Sequence, residues 1–458
     1  MSAKVVLIST YELGRQPFGL ASPAAWLRQA GAAVRCLDLA QERLDEEAVR
    51  GADLVAFYVP MHTATRIASR VVGRVRALNP TAHLCFYGLY APVNEGFLRA
   101  LGADTILGGE FEAGLVSLLR RVRRESGGSA GSGQPEPLIS LAKQQFLVPD
   151  RSGLPPLAKY AYVKVAEGRR TAGYTEASRG CKHRCRHCPI VPVYEGQFRV
   201  VQREVVLGDI RQQVVAGAEH ITFGDPDFFN GVGHALAIVR ALHAAHPTLT
   251  YDVTIKIEHL LRHARHLPTL RETGCLFVTS AVESVDDRVL ALLDKGHTRE
   301  DFIRVVHLCR AAGLALTPTF VTFTPWISVE GYQELLWLLA DLELIEHVPP
   351  IQLAMRLLIP AGSKLLEVPE VWGLVGEFDP AALVYPWKHP DPRVDGLHEE
   401  VFALVKEAEA AGRSRREIFA RVWERADRAA AGRIRSLPEA TRGRPRATIP
   451  YLSEPWYC

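Results

Sequence analysis

Cys181, Cys185 and Cys188 stand in a C-x3-C-x2-C spacing within the stretch SRGCKHRCRHCPIVPVYEGQFR, residues 178–199. Thiolates this close in sequence can converge on one metal centre, and soft sulfur ligands select an iron-sulfur cluster, zinc or Cu(I). A [4Fe-4S] cubane ordinarily takes four thiolates. No fourth cysteine is near, so the simplest reading is a cluster with one iron open to a non-protein ligand. Arg179, Lys182, Arg184 and Arg186 are expected to lower the thiol pKa values and to favour a negatively charged site. Zinc, with His183 or His187 as fourth ligand, stays open on the residues alone, although zinc motifs usually pair two ligand doublets and none follows downstream. A disulfide framework is weaker still, because the other five of the eight cysteines are scattered through 458 residues. Cys36, Cys85, Cys275 and Cys309 lie in apolar contexts and read as core residues.

The run continues through Pro189, Pro192, Gly196 and Arg199. The loop resembles the signature of the radical S-adenosylmethionine (SAM) superfamily, and its extension resembles the branch of that superfamily that carries a cobalamin-binding domain. The resemblance implies a [4Fe-4S] cluster on the three cysteines whose open iron chelates SAM. His187 departs from the aromatic residue commoner before the third cysteine, but it keeps a flat ring.

The elements that must present this loop are legible as patterns. From about 174 to 366 strands alternate with helices: GYTEASRG delivers the loop, and HITFGD, YDVTIKIE, LFVTSAVES, LALTPTFVTF and IQLAMRLLI follow as strands. About six βα units predict a partial TIM-like (β/α)6 barrel with chemistry at the carboxyl ends of its strands. Gly224 in GDPDFFN would let a ligand approach the backbone, and Asp225 or Asp227 could pair with an ammonium; the resemblance makes that the amino group of the SAM methionine. An ordinary Asp-Pro turn is the plainer reading. Glu283 resembles the strand-end glutamate that binds the SAM ribose, and DKGHT, 294–298, extends the likeness. Lys256 and Glu258 alternate with apolar neighbours on YDVTIKIE and are expected to point into the barrel. Gly362 and Ser363, in RLLIPAGSKLL, resemble the last barrel strand and turn and would close over the cofactor.

Residues 4–124 show the rhythm of a doubly wound, Rossmann-like parallel sheet. KVVLIS, VRCLDL, DLVAFYVP and HLCFYGL read as strands, and ASPAAWLRQAG as a helix with Ser22 as N-cap and Pro23 at its first position. Open parallel sheets bind ligands at their strands' carboxyl ends. Residues 58–65, 87–92 and 108–112 fall there and offer His62, Thr63, Gly88, Gly108, Gly109 and Glu110. The segment resembles the cobalamin-binding domain of that branch, including the GGEFE turn, but lacks the D-x-H-x-x-G pattern whose histidine ligates cobalt. If cobalamin binds as a second cofactor, its lower face is therefore expected to lack a histidine from that motif; the plainer reading is a sheet that only packs against the core. ESGGSAGSGQPEP, 125–137, is a flexible linker by composition, and 138–173 a connector. The domains are thus 1–124, 125–173, 174–370 and 371–458, the last a small helical region.

The chain ends in PYLSEPWYC. This ending resembles radical SAM proteins named for a Cys-Sec-Ala-Glu-Pro or Cys-Cys-Ala-Glu-Pro tail. It implies that Cys458 is a redox tail residue followed by a selenocysteine codon. A UAA or UAG stop after Cys458 in the nucleotide sequence would sink that idea. The run RGRPRATIP before it is basic and extended.

Net charge is +3, with 23% charged and 48% hydrophobic residues, so nothing calls for nucleic acid as a partner. MSAKVVLIST enters a strand without the regions of a signal peptide, and no apolar run reaches the ~18–20 residues of a membrane span. The expectation is a cytoplasmic protein. The resemblance implies an enzyme that cleaves SAM to a 5′-deoxyadenosyl radical, with an electron donor such as flavodoxin or ferredoxin and an unknown small-molecule or peptide substrate. Methyl transfer is expected if cobalamin binds, and a rearrangement or oxidation if it does not. Sulfur insertion usually needs a second cluster, and no second cysteine cluster is visible. A non-catalytic iron-sulfur redox sensor is the alternative from another class; it would need the cysteines but not Gly224 or Glu283.

Overall fold

The computed structural model describes residues 2–126 and 135–430 and the backbone of 451–452. Most of the predicted linker, the RGRPRATIP run and Trp456, Tyr457 and Cys458 lie outside the described residues. Strands β1 (Lys4–Ser9), β2 (Ala33–Asp38), β3 (Leu54–Tyr58), β4 (His83–Tyr87), β5 (Thr105–Gly109) and β6 (Ile139–Ser140) form one parallel sheet in the order β2-β1-β3-β4-β5-β6. Its strands are apolar on both faces because helices cover both. Leu7, Leu27, Leu115 and Leu119 build one core layer, and Ile8, Phe57, Val72 and Phe86 the other.

The first helix runs Phe18–Gln29, earlier than the sequence suggests, so Ser22 is not its N-cap and Pro23 lies inside it. Proline has no N–H to offer the carbonyl four residues back. That carbonyl, of Gly19, instead accepts the buried Tyr87 hydroxyl at 2.8 Å, and the Ser22 hydroxyl donates to Glu112 at 2.6 Å. Tertiary partners thus replace the local cap.

A second sheet follows. β7 (Tyr162–Val165) and β8 (Gly168–Thr175) form an antiparallel hairpin, so the end of the predicted 138–173 connector is strand and the second sheet begins before 174. After β8 come β9 (Ser178–Gly180) and β10 (Phe198–Val200), an antiparallel pair clasping the ends of the cysteine loop. β11 (His220–Phe223), β12 (Thr250–Thr254), β13 (Cys275–Glu283) and β14 (Ala315–Phe320) join β8 in parallel. β15 (Tyr451–Leu452) edges β7, giving the order β14-β13-β12-β11-β8-β7-β15, a curled half-barrel. The sixth predicted strand is reduced. IQLAMRLLI begins as a 3₁₀ turn at Pro350–Leu353, and only Arg356 bridges back to Phe323.

Lys256 and Glu258 leave the strand as well. β12 stops at Thr254, and Lys256 N-caps the helix Ile257–Arg262. The alternation in YDVTIKIE continues past the point where the ladder ends. Helices Pro392–Ala410 and Arg415–Ala429 pack Leu397, Val401, Val422 and Trp423 into the barrel core. Asp391 caps the first, and Ser414 with Glu417 forms a capping box on the second. No helix among the described residues is long and apolar enough to cross a membrane.

Candidate active site

The cysteine loop leaves β9 at the carboxyl end of the barrel. Cys185 is buried, Cys181 and Cys188 are half-buried, and the Cys188 N–H donates to the Cys185 carbonyl at 3.0 Å, curling the last two ligands into one turn. Burial pushes the thiols up, Cys181 to about 11 and Cys188 to about 12. The loop's own basic residues do not oppose this. Arg184 donates to the Glu195 carbonyl, Arg186 to the carbonyls of Ala291 and Leu292 at a helix end, and Lys182 lies over the Phe198 ring. Arg179 faces glutamates. The cations that favour thiolate come instead from outside the loop, Lys256 for Cys181 and Lys295 for Cys188. Three thiols in one loop, met by ammonium groups from elsewhere, fit a cluster of net negative charge.

Lys295 is the residue that sequence reasoning passed over, inside DKGHT. It is buried, its Nζ lies 3.3 Å from Glu283 Oε1, and Glu283, Cys185 and Cys188 raise its pKa against the downward push of burial. Glu283 closes β13 with φ +70°, in the left-handed region. The β13–β14 register slips between Ala281 and Glu283, a bulge that re-aims the last side chain of the strand. A non-glycine residue held there costs about 1–3 kcal/mol, a strain that collects at functional sites. His187 Nε2 lies 3.1 Å from the same carboxylate oxygen. Burial pushes Glu283 upward, but the Lys295 charge and the His187 contact outweigh it and hold the carboxyl at about 2. A carboxylate, an imidazole and an ammonium thus meet beside the cysteine loop.

The other sequence-predicted positions are distributed as follows. Gly224 is required by packing, since a Cβ there would lie 1.8 Å from the Tyr174 hydroxyl. Asp225 accepts from the Ala177 N–H at 2.9 Å and the Ser178 hydroxyl at 2.6 Å, so it braces β9, and burial raises it to about 7. Asp227 receives the Phe229 N–H on Oδ1 and turns Oδ2 toward His183 and His259. Burial pushes it upward, and the two imidazoles outweigh that to hold it at about 2. Lys256 is buried, 3.6 Å from the Glu258 carboxylate. Ser363 donates to the Arg186 carbonyl at 3.3 Å and so braces the cysteine loop, whereas a Cβ at Gly362, at φ +74°, would lie 3.5 Å from Val93 and 3.8 Å from Pro192.

The first sheet meets this site through Arg179, two residues before Cys181. Its buried guanidinium is bidentate to Glu112 at 2.7 and 3.0 Å, reaches Glu110 at 3.4 Å, and donates to Glu176 at 2.7 Å. Glu112 is held below its ordinary value because the Arg179 charge outweighs burial, whereas burial leaves Glu110 at about 7. Removing one member of such a network leaves uncompensated buried charge. Arg179→Met should therefore destabilise the chain by about 3–5 kcal/mol. Thermal unfolding measures this; a change under ~1 kcal/mol would show the network to be solvated.

The positions assigned to cobalamin serve the chain's own contacts. His62 Nε2 lies 2.6 Å from the Ala382 carbonyl, and Thr63 follows it in the helix His62–Leu78. A Cβ at Gly88 would lie 3.0 Å from the Tyr58 ring, at Gly108 2.5 Å from Pro92, and at Gly109 2.2 Å from the Ser140 carbonyl. A cavity of about 310 Å³ remains beside Gly108 and Glu110, bordered by Ala113, Gly114 and Ser117. That is the low end for small-molecule sites.

Comparison with known proteins agrees with the geometry. Residues 175–339 match the family described as the Radical SAM superfamily. Ribosomal protein uS12 methylthiotransferase RimO of Pelotomaculum thermopropionicum is 24% identical over 271 residues, 54% of this chain and 57% of that protein. The tRNA-2-methylthio-N(6)-dimethylallyladenosine synthase of Chlorobium chlorochromatii is 26% identical over 148 residues, 31% of this chain and 32% of that protein. The chain thus spans about half the length, or less, of these curated relatives. Among solved structures, the cobalamin-dependent SAM radical enzyme OxsB superposes with a TM-score of 0.68 at 15% identity, covering 89% of this chain and 67% of that one. The radical SAM methyltransferase TsrM of Kitasatospora setae gives 0.60 at 19%, covering 74% and 72%. Residues 175–339 thus match the radical SAM superfamily, a family of enzymes that use a [4Fe-4S] cluster and SAM, and the chain shares the two-sheet fold of OxsB and TsrM.

Proposed function

We propose that this chain is a radical SAM enzyme in which Cys181, Cys185 and Cys188 hold the cluster and Glu283 receives the SAM ribose. The observation that carries the reading is the meeting of Glu283, His187 and Lys295 beside the cysteine loop, with Glu283 on a bulged, left-handed strand end. When bound, the cluster supplies the electron that splits SAM into methionine and a 5′-deoxyadenosyl radical, which takes hydrogen from the substrate. The chain's own residues do the rest. Glu283, ionised far below neutral pH, accepts two hydroxyl hydrogens of a diol. Lys295 offsets the negative charge of the thiolates, and the barrel wall keeps water from the reacting atoms. A flavodoxin- or ferredoxin-type donor would deliver the electron, and the substrate is a small molecule or a peptide. Anaerobically reconstituted protein, reduced with dithionite, should convert SAM to 5′-deoxyadenosine and methionine in equal amounts. Cluster-loaded protein that yields neither would favour a redox sensor.

A second reading is cobalamin-assisted methyl transfer. It is favoured by the likeness to OxsB and TsrM, which covers 89% and 74% of the chain. Reconstitution with hydroxocobalamin followed by desalting tests it. About one corrin retained per chain would support it; none would leave hydrogen abstraction alone. Among the described residues Cys36, Cys85, Cys275 and Cys309 are separate buried core residues whose thiols burial raises, Cys36 and Cys309 to about 12.

A further inference from the structure

Three donor atoms converge behind the cysteine loop and make no hydrogen bond. His259 Nδ1 lies 2.7 Å from Asp227 Oδ2, and His183 Nε2 lies 3.5 Å from the same oxygen. All three atoms are buried without a hydrogen-bond partner. Asp227 and His259 are only 1% and 3% exposed. Two imidazole nitrogens and a carboxylate oxygen held this close without hydrogen-bond geometry are satisfied if a cation sits among them. We propose that His183, Asp227 and His259 form a mononuclear site for a divalent first-row metal ion, seated against the cluster loop and distinct from the cluster.

The geometry suits such an ion. Bonds of about 2.0–2.1 Å in a tetrahedral site place ligand atoms about 3.3 Å apart; the His183–Asp227 contact of 3.5 Å is near that value, and the His259–Asp227 contact of 2.7 Å would open on binding. The two imidazole rings meet edge-on with centroids 4.7 Å apart. Asp227 is fixed by the Phe229 N–H on its other oxygen, which leaves Oδ2 to the site. The second nitrogen of His183 lies 3.5 Å from Glu258 Oε2, the outer carboxylate that orients many metal-bound histidines. Imidazole and carboxylate together select zinc, iron or a neighbouring transition ion rather than magnesium or calcium. Cys181 Sγ lies within 4.8 Å of the His183 and Asp227 donor atoms. Its thiolate belongs to the cysteine trio, so the ion would stand directly behind the cluster. It would tie the loop (His183) to the exits of β11 (Asp227) and β12 (His259). Asp227 thus serves this ion rather than an ammonium group.

Zinc is the probe. The full chain, reconstituted with iron and sulfide, is given one equivalent of Zn²⁺, desalted and assayed for both metals, and its zinc is examined by X-ray absorption. About one zinc per chain is expected beyond the cluster iron, in a first shell of nitrogen and oxygen only. His259→Gln and Asp227→Asn should each lower retained zinc at least about tenfold while cluster iron stays. Cys185→Ala, which removes a cluster ligand but no ligand of this site, should keep the zinc. Wild-type protein without zinc overturns the proposal. So does a sulfur scatterer near 2.3 Å, which would place the zinc on the cysteines. Asp227→Asn that weakens SAM binding with zinc unchanged would also overturn it and return Asp227 to the ammonium.

Discussion

Alanine at Cys181, Cys185 or Cys188 should leave a folded protein that retains little cluster iron and forms 5′-deoxyadenosine at no more than the protein-free rate. The large chemical effect with a small structural one follows from where the thiols sit. None of the three belongs to the barrel's apolar core, which is built from residues such as Ile221, Val253, Val278 and Leu316. The loop is pinned by contacts independent of sulfur: the β9–β10 ladder at its ends, the Arg186 N–H to the Leu293 carbonyl, and the Lys182 N–H to the Asn230 side chain. Iron quantification and the visible absorbance of the reconstituted variants measure the first effect, and thermal unfolding the second. A variant that keeps full iron and activity would remove that cysteine from the ligand set. A variant lacking iron that also loses several kcal/mol without any metal present would show that the thiols pack the fold.

The features legible in the sequence are those whose cause is local. The C-x3-C-x2-C spacing places three ligands in one loop whatever surrounds them, and the strand–helix rhythm follows from apolar periodicity. The features missed are those decided across the fold. Lys295 is more than a hundred residues from the thiols in sequence, and only the parallel pairing of β12, β13 and β14 at the barrel's open end brings it to them. Conversely, Arg179 and Arg186 look like partners of the thiols because they are near in sequence. The structure sends one to Glu110 and Glu112 of the first sheet and the other to a helix end. Pro23 reads as a helix start by local rule, and it is the Tyr87 hydroxyl that lets it sit within a helix. The strand signal in YDVTIKIE outlasts the strand because the ladder partners run out, which no pattern in that segment records. The pairing of His183 with Asp227 and His259 was hidden in the same way, spread over the loop and the exits of two strands.

Lys295→Met should be the most damaging single change at the site outside the cysteines. It leaves Glu283 buried without its cation, at a cost of about 3–5 kcal/mol. Glu283→Gln should cost less in the cluster-loaded protein, because Lys295 then still faces the cluster's thiolate ligands. The double variant should recover about 1–3 kcal/mol relative to the sum of the singles, since the two groups act as one unit. The pair also has a signature in acid. The Glu283 carboxyl is held at about 2 in the folded chain against an ordinary 4.5, so its contribution is fully present above pH ~4.5 and fades as pH falls toward ~2, in total about 3 kcal/mol. Unfolding measured from pH 7 down to 3 should therefore fall more steeply in wild type than in Glu283→Gln. Function should separate the partners. Glu283→Gln keeps the cation beside the cluster and should raise the SAM concentration needed for half-maximal cleavage, whereas Lys295→Met removes a positive charge from the cluster's surroundings and should make its reduction potential more negative. If both variants instead shift SAM affinity equally and leave the potential unchanged, Lys295 only positions the Glu283 carboxylate, and the thiolates owe their stabilisation to Lys256 and the backbone.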